Sequence, residues 1–81
     1  MYYLYILRCA DKTLYTGIAT DLPRRVFEHN GTKLGARYTA SRRPVRLVYF
    51  QKFKNRSLAS KEEARIKKLK KTQKLELIGK Q

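Results

Sequence analysis

The sequence predicts an α+β fold, a small three-stranded antiparallel sheet flanked by helices. Three short runs rich in aromatic, aliphatic and β-branched residues, at 2–8, 14–18 and 45–53, have the length and composition of strands. A run at 56–71 repeats its apolar residues at helical spacing and carries lysines on the other side. With 81 residues the chain has material for one small core, so we expect residues 1–81 to form a single domain.

The strands are separated by segments of different kinds. YYLYILR at 2–8 and LYTGI at 14–18 are joined by CADKT, whose polar residues are typical of a turn, and should form a hairpin. The segment 31–44 has two glycines, several hydroxyls and little apolar periodicity, so we expect a loop. VRLVYFQKF at 45–53 is then the third strand. These patterns do not give the order of the strands in the sheet.

A short helix is predicted between the second and third strands. Asp21 can cap a helix over 22–30, with Pro23 in its first turn and Gly31 at its end. Its core-facing residues are expected to be Leu22, Val26 and Phe27.

Two helices are predicted after the sheet. The first covers 56–71, with Asn55 or Ser57 as its cap, and the second starts near Thr72 and has Gly79 near its end. The apolar face of the first is expected to hold Leu58, Ala59, Ile66 and Leu69.

The net charge of +14 lies mainly in the second half of the chain. Residues 1–40 hold six basic and three acidic side chains, whereas residues 41–81 hold fourteen and three. Such a field attracts phosphate polyanions and favours nucleic acid over a neutral metabolite. Basic helices that lie on membranes share this composition, but no apolar run approaches the roughly 20 residues of a membrane span. We therefore expect a nucleic-acid partner and no membrane.

Cysteine usage and the N-terminal segment indicate the compartment. The single cysteine, Cys9, excludes an internal disulfide and a multi-cysteine zinc site. The start MYYLYILRCAD has neither the basic region nor the small-residue cleavage site of a signal peptide. We expect a cytoplasmic monomer that folds by packing alone.

Polar side chains gather around the predicted first helix. Arg25 and His29 are four residues apart and lie on one face of it, and Tyr15 precedes them on a strand that ends nearby. A phenol, a guanidinium and an imidazole around one pocket suit the capture of a phosphate. The alternative is an exposed helix face with Tyr15 as an ordinary sheet aromatic.

Two tripeptides, Tyr3-Leu4-Tyr5 and Tyr15-Thr16-Gly17, precede Arg25 and His29 in a fixed order. Together with YYLYILRCADKTLYTGIATDLPRRVFEHN, GARYT, RRPVRLVYF and RSLASKEEARIKKL, these motifs cover nearly the whole chain. In this order and spacing they resemble the GIY-YIG nuclease superfamily. More narrowly, they resemble its small single-domain bacterial branch, related to the catalytic domain of the UvrC repair endonuclease.

The resemblance implies a set of catalytic residues. Tyr5 and Tyr15 stand at the tyrosines of the two tripeptides, Arg25 at the helix arginine, and His29 at a position that many members fill with histidine or tyrosine. Glu63 stands at the metal-binding glutamate, with its neighbour Glu62 as the rival. We prefer Glu63, because the helical wheel places it on the flank of the apolar face, where a carboxylate reaches a cleft.

The resemblance also implies a reaction. It is the hydrolysis of a phosphodiester bond with one divalent cation, Mg²⁺ or Mn²⁺, to leave a 3′-hydroxyl and a 5′-phosphate. Arg25 would neutralise charge on the phosphoryl oxygens, and either Tyr5 or Tyr15 would activate water, with His29 able to relay the proton. One carboxylate is a weak site for a hard cation, so we expect metal to be held weakly without substrate.

Three features depart from the superfamily pattern. The first tripeptide has Tyr3 and Leu4 in place of glycine and isoleucine, and the second has Thr16 in its middle. These positions are expected to serve strand packing. Many members also carry an asparagine after the glutamate-bearing helix, whereas none follows Glu63 here.

Basic residues on either side of the site are expected to contact the nucleic-acid backbone. These are Lys33, Arg37, Arg42, Arg43, Arg46, Lys67, Lys68, Lys70, Lys71 and Lys74. Tyr38 is predicted either to stack on an unpaired base or to close the core as a loop aromatic.

Three functional hypotheses follow. The first is an endonuclease of low sequence specificity that acts in repair or processing, with DNA favoured over RNA. The second, favoured by the missing asparagine, is a nucleic-acid-binding module that keeps the fold without turnover. The third is an RNA- or ribosome-associated protein whose tyrosines belong to the core.

Overall fold

The structure is a computed structural model that describes residues 1–31 and 37–79. Its elements are β1 (Tyr2–Arg8), β2 (Leu14–Ala19), α1 (Leu22–Gly31), α2 (Arg37–Ala40), β3 (Arg46–Phe53), α3 (Arg56–Lys67) and α4 (Lys71–Gly79). The strands form one antiparallel sheet in the order β2-β1-β3, which confirms the predicted α+β class. Within the described residues, no helix has the length and apolar character needed to cross a membrane.

The central strand β1 supplies the core on both sides of the sheet. Its side chains alternate, so that Tyr5 and Leu7 pack beside α1, whereas Leu4 and Ile6 pack against Ile66 of α3. We name these two sides the α1 face and the α3 face. Burial on both sides explains why β1 reads as a continuous apolar run and not as an alternating one.

Helix α1 is capped and buried largely as the sequence predicts. The Asp21 carboxylate accepts a hydrogen bond from the backbone N–H of Arg24 at 3.2 Å. Leu22 is buried on the α1 face and Val26 packs beside it. The expectation that Phe27 faces the core is wrong, because Phe27 is 67% exposed. At about 100° per residue, Phe27 lies roughly 140° around the helix from Leu22 and about 100° from Val26, outside the face that packs on the sheet.

The third strand begins at Arg46, one residue later than predicted. The reason is a side-chain clamp: Asn30 donates to the carbonyl of Val45 at 2.9 Å and accepts from its N–H at 2.6 Å. These bonds occupy both backbone groups of Val45, which therefore cannot pair with β1. The predicted loop at 31–44 also contains the single helical turn α2, and residues 32–36 lie outside the described part.

Helices α3 and α4 differ from the prediction at their ends. Asn55 caps α3, accepting from the N–H of Leu58 at 3.0 Å, and Ser57 lies inside the helix. The helix ends at Lys67, because the next N–H groups bond only three residues back, and α4 then begins at Lys71. We expected Leu58 on the apolar face of α3, but it is 44% exposed. The buried residues of α3 lie on one helical face around Ile66, and Leu58 lies outside that face.

Candidate active site

The Tyr5 side chain lies over Gly17 of the second tripeptide, and the absence of a side chain at Gly17 leaves space for it. Tyr5 is directly opposite Gly17 in the β1–β2 ladder. A Cβ atom at Gly17 would lie 2.6 Å from the Tyr5 hydroxyl oxygen and 2.8 Å from its Cζ. Any other residue at this position would displace the phenol, so Gly17 is required by packing and not by backbone conformation.

A chain of buried hydrogen bonds runs from Tyr5 through His29 to Thr39. The Tyr5 hydroxyl lies 2.9 Å from His29 Nε2, and His29 Nδ1 lies 2.8 Å from the Thr39 hydroxyl. The three side chains are at most 1% exposed. They come from β1, α1 and α2, so the chain also ties these three elements together.

Burial keeps both ring groups uncharged at neutral pH. Desolvation, reinforced by the nearby Arg25 and Arg43, lowers the pKa of His29 to about 4. Desolvation also raises the pKa of Tyr5 to about 12, against the opposing effect of its hydrogen bond from Arg25. Near pH 7 the residues are therefore a neutral phenol and a neutral imidazole.

The neighbours of this chain determine the histidine tautomer. The Arg25 guanidinium can only donate, so it donates to the Tyr5 hydroxyl oxygen. With its oxygen accepting from Arg25, the protonated Tyr5 is assigned as the donor of its O–H to Nε2 of the neutral His29. The ring proton of His29 is accordingly assigned to Nδ1, from which it would be donated to Thr39.

Tyr15 extends the site toward the surface. Its ring centroid lies 5.2 Å from that of His29, 6.4 Å from that of Tyr5 and 5.7 Å from that of Tyr38. Tyr15 is half-buried, whereas Tyr5 is fully enclosed.

Arg25 is held by a residue that the sequence reasoning missed. Glu28 accepts from Arg25 at 3.0 Å and also from the more exposed Arg24 at 3.3 Å. Its side chain is only 14% exposed, so this carboxylate is well placed to orient the Arg25 guanidinium. Glu28 lies four residues after Arg24 and three after Arg25. Side chains at these spacings meet on a helix, so both ion pairs could have been predicted from the sequence.

The two neighbouring glutamates of α3 face different surroundings. Glu62 receives two hydrogen bonds of 2.7 Å from Arg65, which lower its pKa, and its charge acts on Tyr49. The charge of Glu63 instead acts on Tyr5, whose pKa it helps to raise, and its carboxylate pairs with Lys67 at 3.2 Å. Of the two glutamates, Glu63 is the one whose charge acts on Tyr5. In the described part of the chain, no three His, Cys, Asp or Glu side chains cluster as a metal site.

The predicted nucleic-acid contacts have varied surroundings. Arg42 lies over the Tyr38 ring at 4.1 Å, donates to the Tyr38 carbonyl at 2.8 Å and pairs with Asp11 at 3.0 Å. Arg43 donates to the His29 carbonyl at 2.7 Å. Of the predicted contacts on α3, on α4 and between them, Lys67, Lys68, Lys70 and Lys71 are exposed, while Lys74 is half-buried. Lys33 and the side chain of Arg37 lie outside the described residues.

The comparisons with known proteins agree on one family. The family model for the GIY-YIG catalytic domain matches residues 1–76. A UPF0213 protein of Desulfotalea psychrophila is 54% identical over 95% of this chain and 70% of its own, and one of Clostridium perfringens is 49% identical over 98% and 84%. The solution NMR structure of a UPF0213 protein from Bacillus halodurans has a TM-score of 0.62 at 39% identity, covering 98% of this chain and 84% of that one.

Proposed function

Because this chain belongs to the GIY-YIG catalytic-domain family, we propose that it is a metal-dependent endonuclease that hydrolyses phosphodiester bonds of nucleic acid. We further propose DNA over RNA as the substrate, low sequence specificity, a role in repair or processing, and a cytoplasmic location. The observation that carries the proposal is the buried chain of Tyr5, His29 and Thr39, with Arg25 on the Tyr5 hydroxyl. Enclosing so many polar groups costs stability unless each is paired, and such arrangements concentrate at functional sites.

Arg25 suits the binding of the reacting phosphate. Its guanidinium has five N–H donors in a fixed fork, and the contacts to Tyr5 and Glu28 fix its orientation. The side chain remains 27% exposed, so further donors can reach a phosphoryl oxygen. We assign Arg25 to the neutralisation of charge that grows on the phosphate during hydrolysis.

The surroundings of the two tyrosines support different roles. The Tyr5 hydroxyl accepts from Arg25 and donates to His29, and its raised pKa makes it a poor base. We therefore assign Tyr5 to positioning, with neutral His29 and Thr39 holding its hydroxyl in place. Tyr15 is half-buried beside the same imidazole, and we assign it to the attacking water.

A divalent cation fits the surroundings of Glu63 as a largely hydrated ion. Carboxylate oxygen is a ligand type that Mg²⁺ and Mn²⁺ prefer. Glu63 is a single carboxylate, however, and it is shared with Lys67. When bound there, the cation would stabilise charge on the phosphate and the leaving oxygen. Water and substrate phosphate must supply its other ligands, so we expect weak binding without nucleic acid.

The test is cleavage of labelled single-stranded, duplex and branched DNA, and of matching RNA, with Mg²⁺ or Mn²⁺. Arg25→Ala is expected to lower the rate by about 10²- to 10³-fold, as for the loss of one donor to a developing oxyanion. Arg24→Ala is the matched control, because Arg24 shares Glu28 but is 71% exposed. Equal rates for Arg25→Ala and wild type would contradict the proposal and point to a contaminating nuclease.

A nucleic-acid-binding module without turnover is the second candidate. Two observations favour it: Lys67 already neutralises Glu63, and no asparagine follows Glu63 in the sequence. This function predicts salt-sensitive binding of the same nucleic acids with no product from any of them.

A further inference from the structure

A surface pocket lies at the β1–β2 turn, and every charged residue that lines it is a cation. It has a volume of about 330 Å³ and is lined by Arg8, Cys9, Ala10, Lys12, Pro44 and Arg46. Across residues 1–31 and 37–79, no carboxylate pairs with any of its three cations. Elsewhere, carboxylates pair with Arg24, Arg25, Arg42, Arg65 and Lys67. The carboxylates that form ion pairs within the described residues thus neutralise other cations and leave this pocket positive.

Two of these cations are opposite each other on neighbouring strands of the sheet. Arg8 and Arg46 are direct partners in the antiparallel β1–β3 ladder, and both are exposed. Side chains in such pairs start about 4.5–5.5 Å apart at Cβ, and like charges there destabilise the sheet. A phosphate between the two guanidiniums would replace repulsion with bidentate hydrogen bonds.

The turn holds the third cation, Lys12, in a fixed backbone conformation. Lys12 has a φ of 69°, and its N–H donates to the Cys9 carbonyl at 2.9 Å. The only acidic residue of the turn, Asp11, accepts from the N–H and the hydroxyl of Thr13 and pairs with Arg42. Asp11 is therefore engaged elsewhere and does not neutralise Lys12.

We propose that Arg8, Lys12 and Arg46, which we name the turn site, bind a backbone phosphate of the nucleic acid outside the active site. This inference rests on the proposed function, since it takes the same polymer as ligand. Arg8 is three residues beyond Tyr5, or about 10 Å along the strand, and is in phase with the α3 face. The turn site therefore contacts a flanking phosphate and not the scissile one.

The experiment measures the affinity of a labelled 20-base-pair duplex, and of its single strand, as a function of salt. EDTA is present so that the probe is not cut. The variant Arg8→Gln/Arg46→Gln is expected to weaken binding and to lower the slope of log affinity against log salt by about 0.9 for the duplex, the value for one lost phosphate contact. The charge reversal Arg8→Glu should also weaken binding while raising the melting temperature, because it replaces a repulsive cross-strand pair with an attractive one.

The matched control is Lys52→Gln/Arg56→Gln, which removes two exposed cations outside the pocket. If this control lowers the slope of log affinity against log salt as much as Arg8→Gln/Arg46→Gln does, the effect is one of net charge in general and the turn site is wrong. Undiminished binding by Arg8→Glu would also overturn it, as would competition by poly-glutamate as effective as that by unlabelled duplex.

Cleavage assays on the same proteins separate this inference from the proposed function. If wild type binds through the turn site but cleaves nothing with Mg²⁺ or Mn²⁺, the inference stands and the endonuclease proposal fails. If wild type cleaves and Arg8→Gln/Arg46→Gln keeps the wild-type slope, the inference alone fails. The absence of any duplex binding by wild type would overturn both.

Discussion

The two faces of the sheet bury the same strand in different ways. On the α3 face, Leu4 and Ile6 of β1 pack with Ile66 in an apolar cluster. On the α1 face, Tyr5 is as deeply buried, but it meets the polar side chains of His29 and Thr39. Apolar burial stabilises a fold without specific pairing, whereas each buried polar group must find a partner. The apolar packing of the α3 face therefore supplies stability, whereas the α1 face buries the polar groups around Tyr5 that belong to the proposed catalytic centre.

The largest expected effect on stability belongs to the α3 face. Ile66 is fully buried, so Ile66→Ala should lower the free energy of unfolding by about 2–5 kcal/mol, as the lost transfer energy and the new cavity add. Urea denaturation measures this change. Leu58→Ala is the control on the same helix, where a 44% exposed side chain predicts a smaller loss, of about 1 kcal/mol or less. If Ile66→Ala also slowed cleavage per folded molecule, the division between the faces would be wrong.

The next effect tests the contact between Gly17 and Tyr5. Gly17→Ala forces the Tyr5 ring to move, because the new Cβ would lie 2.6 Å from its hydroxyl oxygen. Overpacking of this kind costs about 1–3 kcal/mol, and we expect cleavage to fall with it. Gly31→Ala is the control, since a Cβ there meets nothing within 4 Å. Unchanged cleavage by Gly17→Ala would show that the position of the phenol is unimportant.

An effect of similar size is expected where only one hydrogen bond is removed. Thr39→Val keeps the shape of the side chain but takes from His29 the acceptor of its Nδ1–H, a loss of about 1–3 kcal/mol for a buried group. Thr39→Ser should restore both stability and cleavage. Nitrogen-15 NMR of the imidazole provides the independent measurement: wild type and Thr39→Ser should have the proton on Nδ1. A predominantly Nε2-protonated ring in wild type would contradict the assigned direction of the chain.

The last effect is the pH dependence of stability. The pKa of His29, about 4 when folded, is below its ordinary 6.5, so the unfolded chain binds the extra proton first. Stability should fall as the pH drops below 6.5, by at most about 1.4 kcal/mol per pH unit, down to the folded pKa. Because His29 is the only histidine, its replacement in His29→Gln should remove the slope between pH 6.5 and 5. If the pH dependence of stability in His29→Gln equals that of wild type, groups other than His29 cause it.

The sequence predicts elements better than it predicts contacts between distant residues. The hairpin, α1 and the α3 helix follow from local periodicity and caps, so their positions were readable to within a few residues. Thr39 carried no such signal, because a threonine in an arginine-rich segment resembles any loop hydroxyl and its partner His29 is ten residues away. The Asn30 clamp on Val45 was equally hidden, since an asparagine near a helix end has many possible partners.

The pattern of charges was also only partly readable. Composition indicates a polyanion partner, but it does not distinguish cations that are paired within the fold from those that are not. Arg42 is an example: it was predicted as a nucleic-acid contact, and it lies over Tyr38 with an ion pair to Asp11. Arg8, which carries no motif, faces Arg46 without an acidic partner in the described structure. That distinction depends on strand register, which the sequence did not give.

The most direct test of the account compares the adjacent glutamates of α3 in cleavage assays with Mg²⁺ or Mn²⁺. We expect Glu63→Gln to abolish cleavage while it keeps duplex binding, because Glu63 is the glutamate whose charge acts on Tyr5. Glu62→Gln should cleave like wild type, since Glu62 pairs with Arg65 and faces Tyr49. Full activity in Glu63→Gln, or loss of activity only in Glu62→Gln, would contradict a catalytic centre built around Tyr5, Arg25 and Glu63.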